Sequence, residues 1–228
     1  MKLSLAKALL QISLDLNINL PIGQHYQRLI TAIVKVLPCD ACALFILNTK
    51  GTLTPVAVEG LTSETLGMRF STNNQPRLRA IVESRKPVRF DADSPLPDPF
   101  DGLLSKDTER TLDVHSCMGC SLYIEDHLIG LITFDAEGPD AFSKIDDITV
   151  ETFAALAAAT VRNVSMMEAL ENANRHQKEV TKVLIQEARQ KRRGTGRHKP
   201  ANQPLESEYR THSQFQLCSL DPRRDRYR

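Results

Sequence analysis

The chain is predicted to be an α+β protein in which helices flank an antiparallel sheet, followed by a long C-terminal helix and a disordered basic tail. Three observations predict this. Helical apolar stripes bracket the body, short apolar runs joined by tight polar breaks fill its middle, and apolar content collapses after Arg189. At 228 residues, 41% hydrophobic and 25% charged, the chain has material for one ordinary core plus extensions.

Leu5, Leu9, Ile12 and Leu16 recur at helical spacing, and a second helix follows Pro21 through Tyr26, Leu29, Ile30, Ile33, Val34 and Leu37. Ala41 to Asn48 and Leu53 to Val58, split by Lys50-Gly51, read as a hairpin. A helix is expected around Leu78, Ile81 and Val82, then a short strand from Pro87 to Phe90 and a loop rich in Pro and Asp up to Gly102. Met118 to Ile124 and His127 to Phe134, split by Glu125-Asp126, form a second hairpin. The last helix begins near Ile145, and its stripe passes through Ile148, Phe153, Leu156, Val161, Val164, Met167 and Leu170, weakens over Asn172 to Glu179 and resumes at Val180.

The net charge of +1 conceals an asymmetry, because residues 189 to 228 carry 11 Lys or Arg against 4 Asp or Glu. That segment has three Leu, one Phe and no Ile or Val, too little apolar surface to offset the entropy of ordering it. The expected organisation is a folded domain over 1–173, a linker helix over 174–188 and a disordered basic tail over 189–228. The basic run attracts phosphates at most electrostatically, so no specific DNA binding is expected. No apolar run is long enough for a membrane span, and the five cysteines, with no secretion signal, are expected to be reduced thiols in the cytoplasm.

Between Pro97 and Asp135 the chain concentrates carboxylates, an imidazole and a thiol, a mixture that suits a borderline divalent metal such as ferrous iron. Pro99 at the first position of a turn, with Asp98 as its cap, would put Asp98 and Asp101 on one face. From spacing alone, a cap and a solvated carboxylate explain the pair as well. His115 and Cys117 are two apart and project to one side of a strand, where a hydrogen-bonded histidine and a small buried thiol are the plainer reading. Asp135 ends an apolar strand, a common place for a turn-starting aspartate. Arg77 and Arg89 are candidates to balance anionic ligands. Cys39-x-x-Cys42 and Cys117-x-x-Cys120 match the residue count of a zinc site, although their separation exceeds that of a compact zinc module.

The element order resembles a GAF domain. Pro76-Arg77-Leu78, Val88-Arg89-Phe90, Leu96-Pro97-Asp98-Pro99, Asp101-Gly102-Leu103, Val114-His115, Cys117 and Leu128-Ile129-Gly130 together resemble the sensor domain of the NorR family, nitric-oxide-responsive activators of anaerobic nitric oxide reductase genes. The resemblance spans Leu3 to Ala173. It implies a mononuclear non-haem Fe(II) centre that binds nitric oxide, with Asp98, Asp101, His115, Cys117 and Asp135 at the metal and Arg77 beside or on it. A second family arginine, six residues further on, corresponds to Glu83. Family members continue into a sigma-54-dependent ATPase domain and a helix-turn-helix. This sequence carries no Gly-rich phosphate loop, since Gly194-Thr195-Gly196-Arg197 lacks the lysine, and the expectation is a truncated sensor. The alternatives are a thiol-redox or zinc-binding GAF domain, a cysteine-based free methionine sulfoxide reductase, and a module that only dimerises through its terminal helices.

The apolar poverty of the tail makes it dispensable for folding. Deleting residues 189 to 228 should leave the melting temperature unchanged within about 2 °C by calorimetry, and a larger drop would mean that the tail packs on the body.

Overall fold

The computed structural model describes Lys7, Leu9, Leu10 and Leu14, residues 21–104 and residues 116–194. Most of the first expected helix, His115 and the tail from 195 lie outside the described residues. The elements are α1 (Ile22–Val34), β1 (Ala41–Leu47), β2 (Thr52–Glu59), a 3-10 turn (Ser63–Gly67), β3 (Phe70–Ser71), α2 (Pro76–Glu83), β4 (Val88–Phe90), β5 (Ser116–Ile124), β6 (His127–Ala136) and α3 (Asp147–Gly194). The strands form one sheet in the order β3-β2-β1-β6-β5-β4, with every neighbouring pair antiparallel.

Strand alternation divides the interior into two clusters. On one face Cys42, Leu44, Met118, Cys120, Leu122, Ile132 and Phe134 meet Leu29, Ile30 and Ile33 of α1 and Phe153, Ala157 and Val161 of α3. On the other, Ala43, Phe45, Cys117 and Leu131 meet Leu78 and Ile81 of α2 together with Phe70, Phe90 and Phe100. The rings of Phe45, Phe70 and Phe100 pack within 5.5–6.0 Å of one another, each geometry contributing roughly 0.5–1.5 kcal/mol beyond burial. Phe100 is the anchor that brings the Asp-rich loop onto the sheet.

Two glycines permit close approaches. A Cβ at Gly119 would overlap Ile81, so α2 rests directly on β5 only because no side chain intervenes. A Cβ at Gly130 would overlap the carbonyl of Phe45, so this glycine keeps β6 against β1 beside an irregularity in the β5–β6 ladder. There Tyr123 pairs with Leu128 but Leu122 pairs with Gly130, leaving Ile129 as one extra residue.

The first part of α3 departs from the expected stripe. Val150, Phe153, Ala154, Ala157, Ala158, Val161 and Val164 are buried, whereas Ile148, at 73% exposure, Met167 and Leu170 are not. Phe153, Val161 and Val164 of the expected stripe do lie on the contact face, and small alanines complete it where the stripe's Ile148, Met167 and Leu170 point to solvent. The helix also runs unbroken through Asn172–Glu179 and past Arg189, because Glu, Gln, Lys and Arg are good helix formers without an apolar partner. The chain divides into the units Met1–Gln177 and Lys178–Arg228, four residues beyond the expected sensor boundary. Among the described residues no helix is long and apolar enough to cross a membrane.

The two-residue turn of the β5–β6 hairpin puts Glu125 at φ 56°, a left-handed conformation that costs a side-chain-bearing residue about 1 kcal/mol or more. Glu125→Gly should therefore stabilise the domain by about 0.5 kcal/mol after the added chain entropy of glycine, read as a shifted urea midpoint at constant slope.

Candidate metal centre

The site is built on the α2 face of the sheet. Cys117 and Asp135 are direct cross-strand partners on β5 and β6, and alternation turns both side chains inward. Asp98 reaches them from the Asp91–Gly102 loop. One ligand atom from each of Asp98, Cys117 and Asp135 lies within 4.8 Å of the others, and all three residues are buried.

Several contacts hold Asp98 in place. Its Oδ1 accepts the backbone N–H of Phe100 at 2.8 Å, which caps the turn after Pro99. Its Oδ2 accepts from Arg77 Nη1 at 2.6 Å, and this ion pair is buried, with the two side chains 6% and 1% exposed. Arg77 Nε donates to the Leu96 carbonyl at 2.8 Å, and the guanidinium sits 5.3 Å from the centre of the Phe90 ring. The loop is closed beyond the turn by Thr62 N–H donating to Leu103 O at 2.8 Å.

Asp135 is in a different situation. It is fully buried, and neither carboxylate oxygen has a hydrogen-bond partner of good geometry among the described residues. Burial pushes its carboxyl well above the usual carboxylate range, and the Asp98 charge pushes the same way, while Cys117, the Thr133 hydroxyl and Arg77 only partly offset them. Burial likewise raises the Cys117 thiol, helped by Asp135 and Asp98. Asp98 is raised by burial too, against the lowering effects of Phe100 N–H and Arg77. With all three ionised, three negative charges would face Arg77, the one cationic group among the described residues that acts on their charges, and a divalent cation would bring the set to neutrality. An uncompensated buried charge is costly enough that such groups stay protonated or find a cation.

The other residues singled out in the sequence fall in varied places. Asp101 is exposed at the outer corner of the turn and is outside this group, although its charge still acts on Asp98. His115 lies outside the described residues. Arg89 turns away from the site and donates to Asp147 at 2.6 Å and to the Ile145 carbonyl at 2.8 Å, at the start of α3. The paired cysteines do not assemble, which corrects the zinc alternative. Cys42 and Cys120 belong to the cluster under α1 and α3, while Cys117 belongs to the opposite face. Cys117 and Cys120 are three positions apart, an odd offset, so a strand must point them to opposite sides. Burial raises Cys42 well above the usual thiol range and Cys120 to about 11, so neither of these two is poised as a thiolate. Sequence reasoning missed Phe100 as the loop anchor and Thr133 as a buried hydroxyl beside Asp135.

A single antiparallel sheet with α1 and α3 on one face and α2 with a long loop on the other is the architecture of a GAF domain. The chain belongs to that family, whose model matches residues 22–161. It is 42% identical over 179 residues to regulatory protein LuxO of Vibrio cholerae, covering 77% of this chain and 33% of that protein. It is 40% identical over 162 residues to the anaerobic nitric oxide reductase transcription regulator NorR of Aliivibrio fischeri, covering 71% of this chain and 31% of that protein. NorR of Shigella flexneri is also 40% identical, over 166 residues. The chain spans about a third of the length of these curated relatives. Among solved structures, the GAF domain of a phosphoenolpyruvate-protein phosphotransferase from Coxiella burnetii superposes with a TM-score of 0.59 at 24% identity, covering 72% of this chain and 96% of that one. The phycoerythrobilin-bound GAF domain of a cyanobacterial phytochrome gives 0.56 at 16% identity, covering 73% and 98%. These structures share the fold.

The raised carboxyl of Asp135 has a consequence for stability. Between the ordinary carboxylate pKa and the raised one, folded chelator-treated protein binds more protons than unfolded protein, so stability is present at low pH and is lost as pH rises. The loss has a limiting slope of about 1.4 kcal/mol per pH unit for one group. Asp135→Asn should raise the melting temperature of chelator-treated protein at pH 7 and flatten its decline between pH 5 and 8, as read by thermal scans at each pH.

Proposed function

We propose that this chain is the nitric-oxide-sensing domain of a NorR-type transcription activator, with one ferrous ion held by Asp98, Cys117 and Asp135, and that it is a sensor without catalytic activity. The observation that carries this reading is the fully buried Asp135 carboxylate, unpartnered and facing a thiol and a second carboxylate within 4.8 Å. A buried acid without a well-placed donor either stays protonated or takes a cation, and the mixed oxygen and sulfur donor set beside it suits a borderline divalent ion. The two relatives named NorR match this chain over the residues that build the site. Asp101 and His115 are further donors implied by the resemblance.

Ferrous iron held by these residues would supply the affinity for a small neutral diatomic molecule. The chain's own residues do the rest. Burial excludes water, Cys117 contributes a thiolate, and Arg77 keeps Asp98 oriented while balancing charge. A change of charge at the site is felt by the Arg77–Asp98 pair and so by α2 and the loop. Phe90 pairs with Cys117 across β4 and β5, and its neighbour Arg89 binds Asp147 and Ile145. A shift of β5 therefore pulls on the first turn of α3, the route by which the signal would leave the domain.

Anaerobically purified protein should take up about one Fe(II) per chain and develop an electron paramagnetic resonance signal on addition of nitric oxide. Asp98→Ala, Cys117→Ala and Asp135→Ala should each weaken iron binding by about tenfold or more, since each removes one donor from a small set. Three variants that all keep full iron content and an unchanged signal would locate the site elsewhere.

A further inference from the structure

Asp135 is not the only unpartnered polar group on this face. Thr133, two residues earlier on β6, is fully buried, and its Oγ1 likewise has no hydrogen-bond partner of good geometry. Alternation along β6 places Thr133 on the same side as Asp135. Its cross-strand neighbours are Ala43 on β1 and Gly119 on β5, neither with a polar side chain, and Ile81 of α2 covers Gly119. An apolar residue at position 133 would satisfy this packing equally well. A hydroxyl kept in such a place without a partner is an expense of about 1–3 kcal/mol that calls for a use. The polar groups close to it are those of the site, and its proximity is enough to favour the charged form of Asp135.

We infer that the Thr133 hydroxyl is the hydrogen-bond donor to Asp135 in the metal-bound domain, a positioning residue that fixes which carboxylate oxygen faces the ion. The inference rests on the metal reading given above. A carboxylate that binds a cation through one oxygen leaves the other in need of a donor, and buried ligands oriented by an outer hydrogen bond hold their metal more tightly. Among the described residues no backbone N–H reaches the Asp135 carboxylate, unlike Asp98, whose Oδ1 takes the Phe100 N–H. The two carboxylates are thus served differently: Asp98 by a turn and an arginine, Asp135 by one rotatable hydroxyl that turns to it without moving the strand.

The test uses the full 228-residue chain, anaerobic Fe(II), and the variants Thr133→Val and Thr133→Ser. Fe(II) affinity is measured by chelator competition, the melting temperature on chelator-treated protein, and the paramagnetic signal after nitric oxide is added. Thr133→Val should weaken Fe(II) binding by about 10- to 100-fold and alter the shape of the signal. The same variant should melt at or above the wild-type temperature when stripped of metal, because it deletes an unpartnered hydroxyl. Thr133→Ser should bind Fe(II) like the wild type. A Thr133→Val protein that binds Fe(II) within twofold of the wild type overturns the inference. So does one that loses stability when stripped of metal and is not rescued by Ser, since that outcome describes a packing role. If wild-type protein itself takes up no Fe(II), the metal reading falls rather than the role of Thr133 within it.

Discussion

The site depends on one extra residue in the β5–β6 ladder. Near the turn, Ile124 pairs with His127 and Tyr123 with Leu128; after the irregularity, Leu122 pairs with Gly130 and, further on, Cys117 with Asp135. Without Ile129 as the additional residue, the register set at the turn would bring Cys117 opposite Phe134, and thiol and carboxylate would point to opposite faces of the sheet. The bulge is tolerated because Gly130 lets β6 lie close to the backbone of β1. A backbone feature five to six residues along the strands from Cys117 and Asp135 therefore decides whether the site exists.

Around that pair, the α2 face is organised to bury charge. Gly119 admits α2 onto the strand, α2 carries Arg77, Arg77 holds Asp98, and Phe100 pins the loop from which Asp98 comes. Each link is a packing event with an electrostatic result. A buried ion pair such as Arg77–Asp98 is a poor source of stability on its own, because desolvation cancels much of its attraction. Its value lies in orientation: one carboxylate oxygen is used by the arginine, the other by the turn, and both positions are fixed. Asp135 lacks such neighbours and remains the member of the set whose charge is unmet.

Much of the architecture was legible in the sequence. Both hairpins follow from apolar runs broken at Lys50-Gly51 and Glu125-Asp126, and α1 and α2 from their spacing. The core face of α3 was less legible, because Ala154, Ala157 and Ala158 carry too little hydrophobicity to outweigh exposed Ile148 and Met167. The short β3 and the 3-10 turn have no signal strong enough to be found in advance. The site residues were another matter. Asp98 as a cap, Cys117 as a small core residue and Asp135 as a turn starter are each ordinary alone; the concentration of ligand types between Pro97 and Asp135 hinted at a metal, and the resemblance singled these residues out. Their proximity arises from a register shift and a loop anchor, neither of which any local window of sequence contains. Thr133 gave no signal, since a threonine in a strand is unremarkable until its neighbours are known to be Ala43, Gly119 and Asp135.

The central claim is that Asp135 and Cys117, raised by burial in the metal-free domain, give up their protons to a divalent cation. Titration calorimetry of anaerobic Fe(II) into chelator-treated protein at pH 7, repeated in buffers of different ionisation enthalpy, counts the protons released on binding. The account predicts saturable binding near one ion per chain with about one to two protons released per ion. Binding without proton release, or no binding at all, would contradict it.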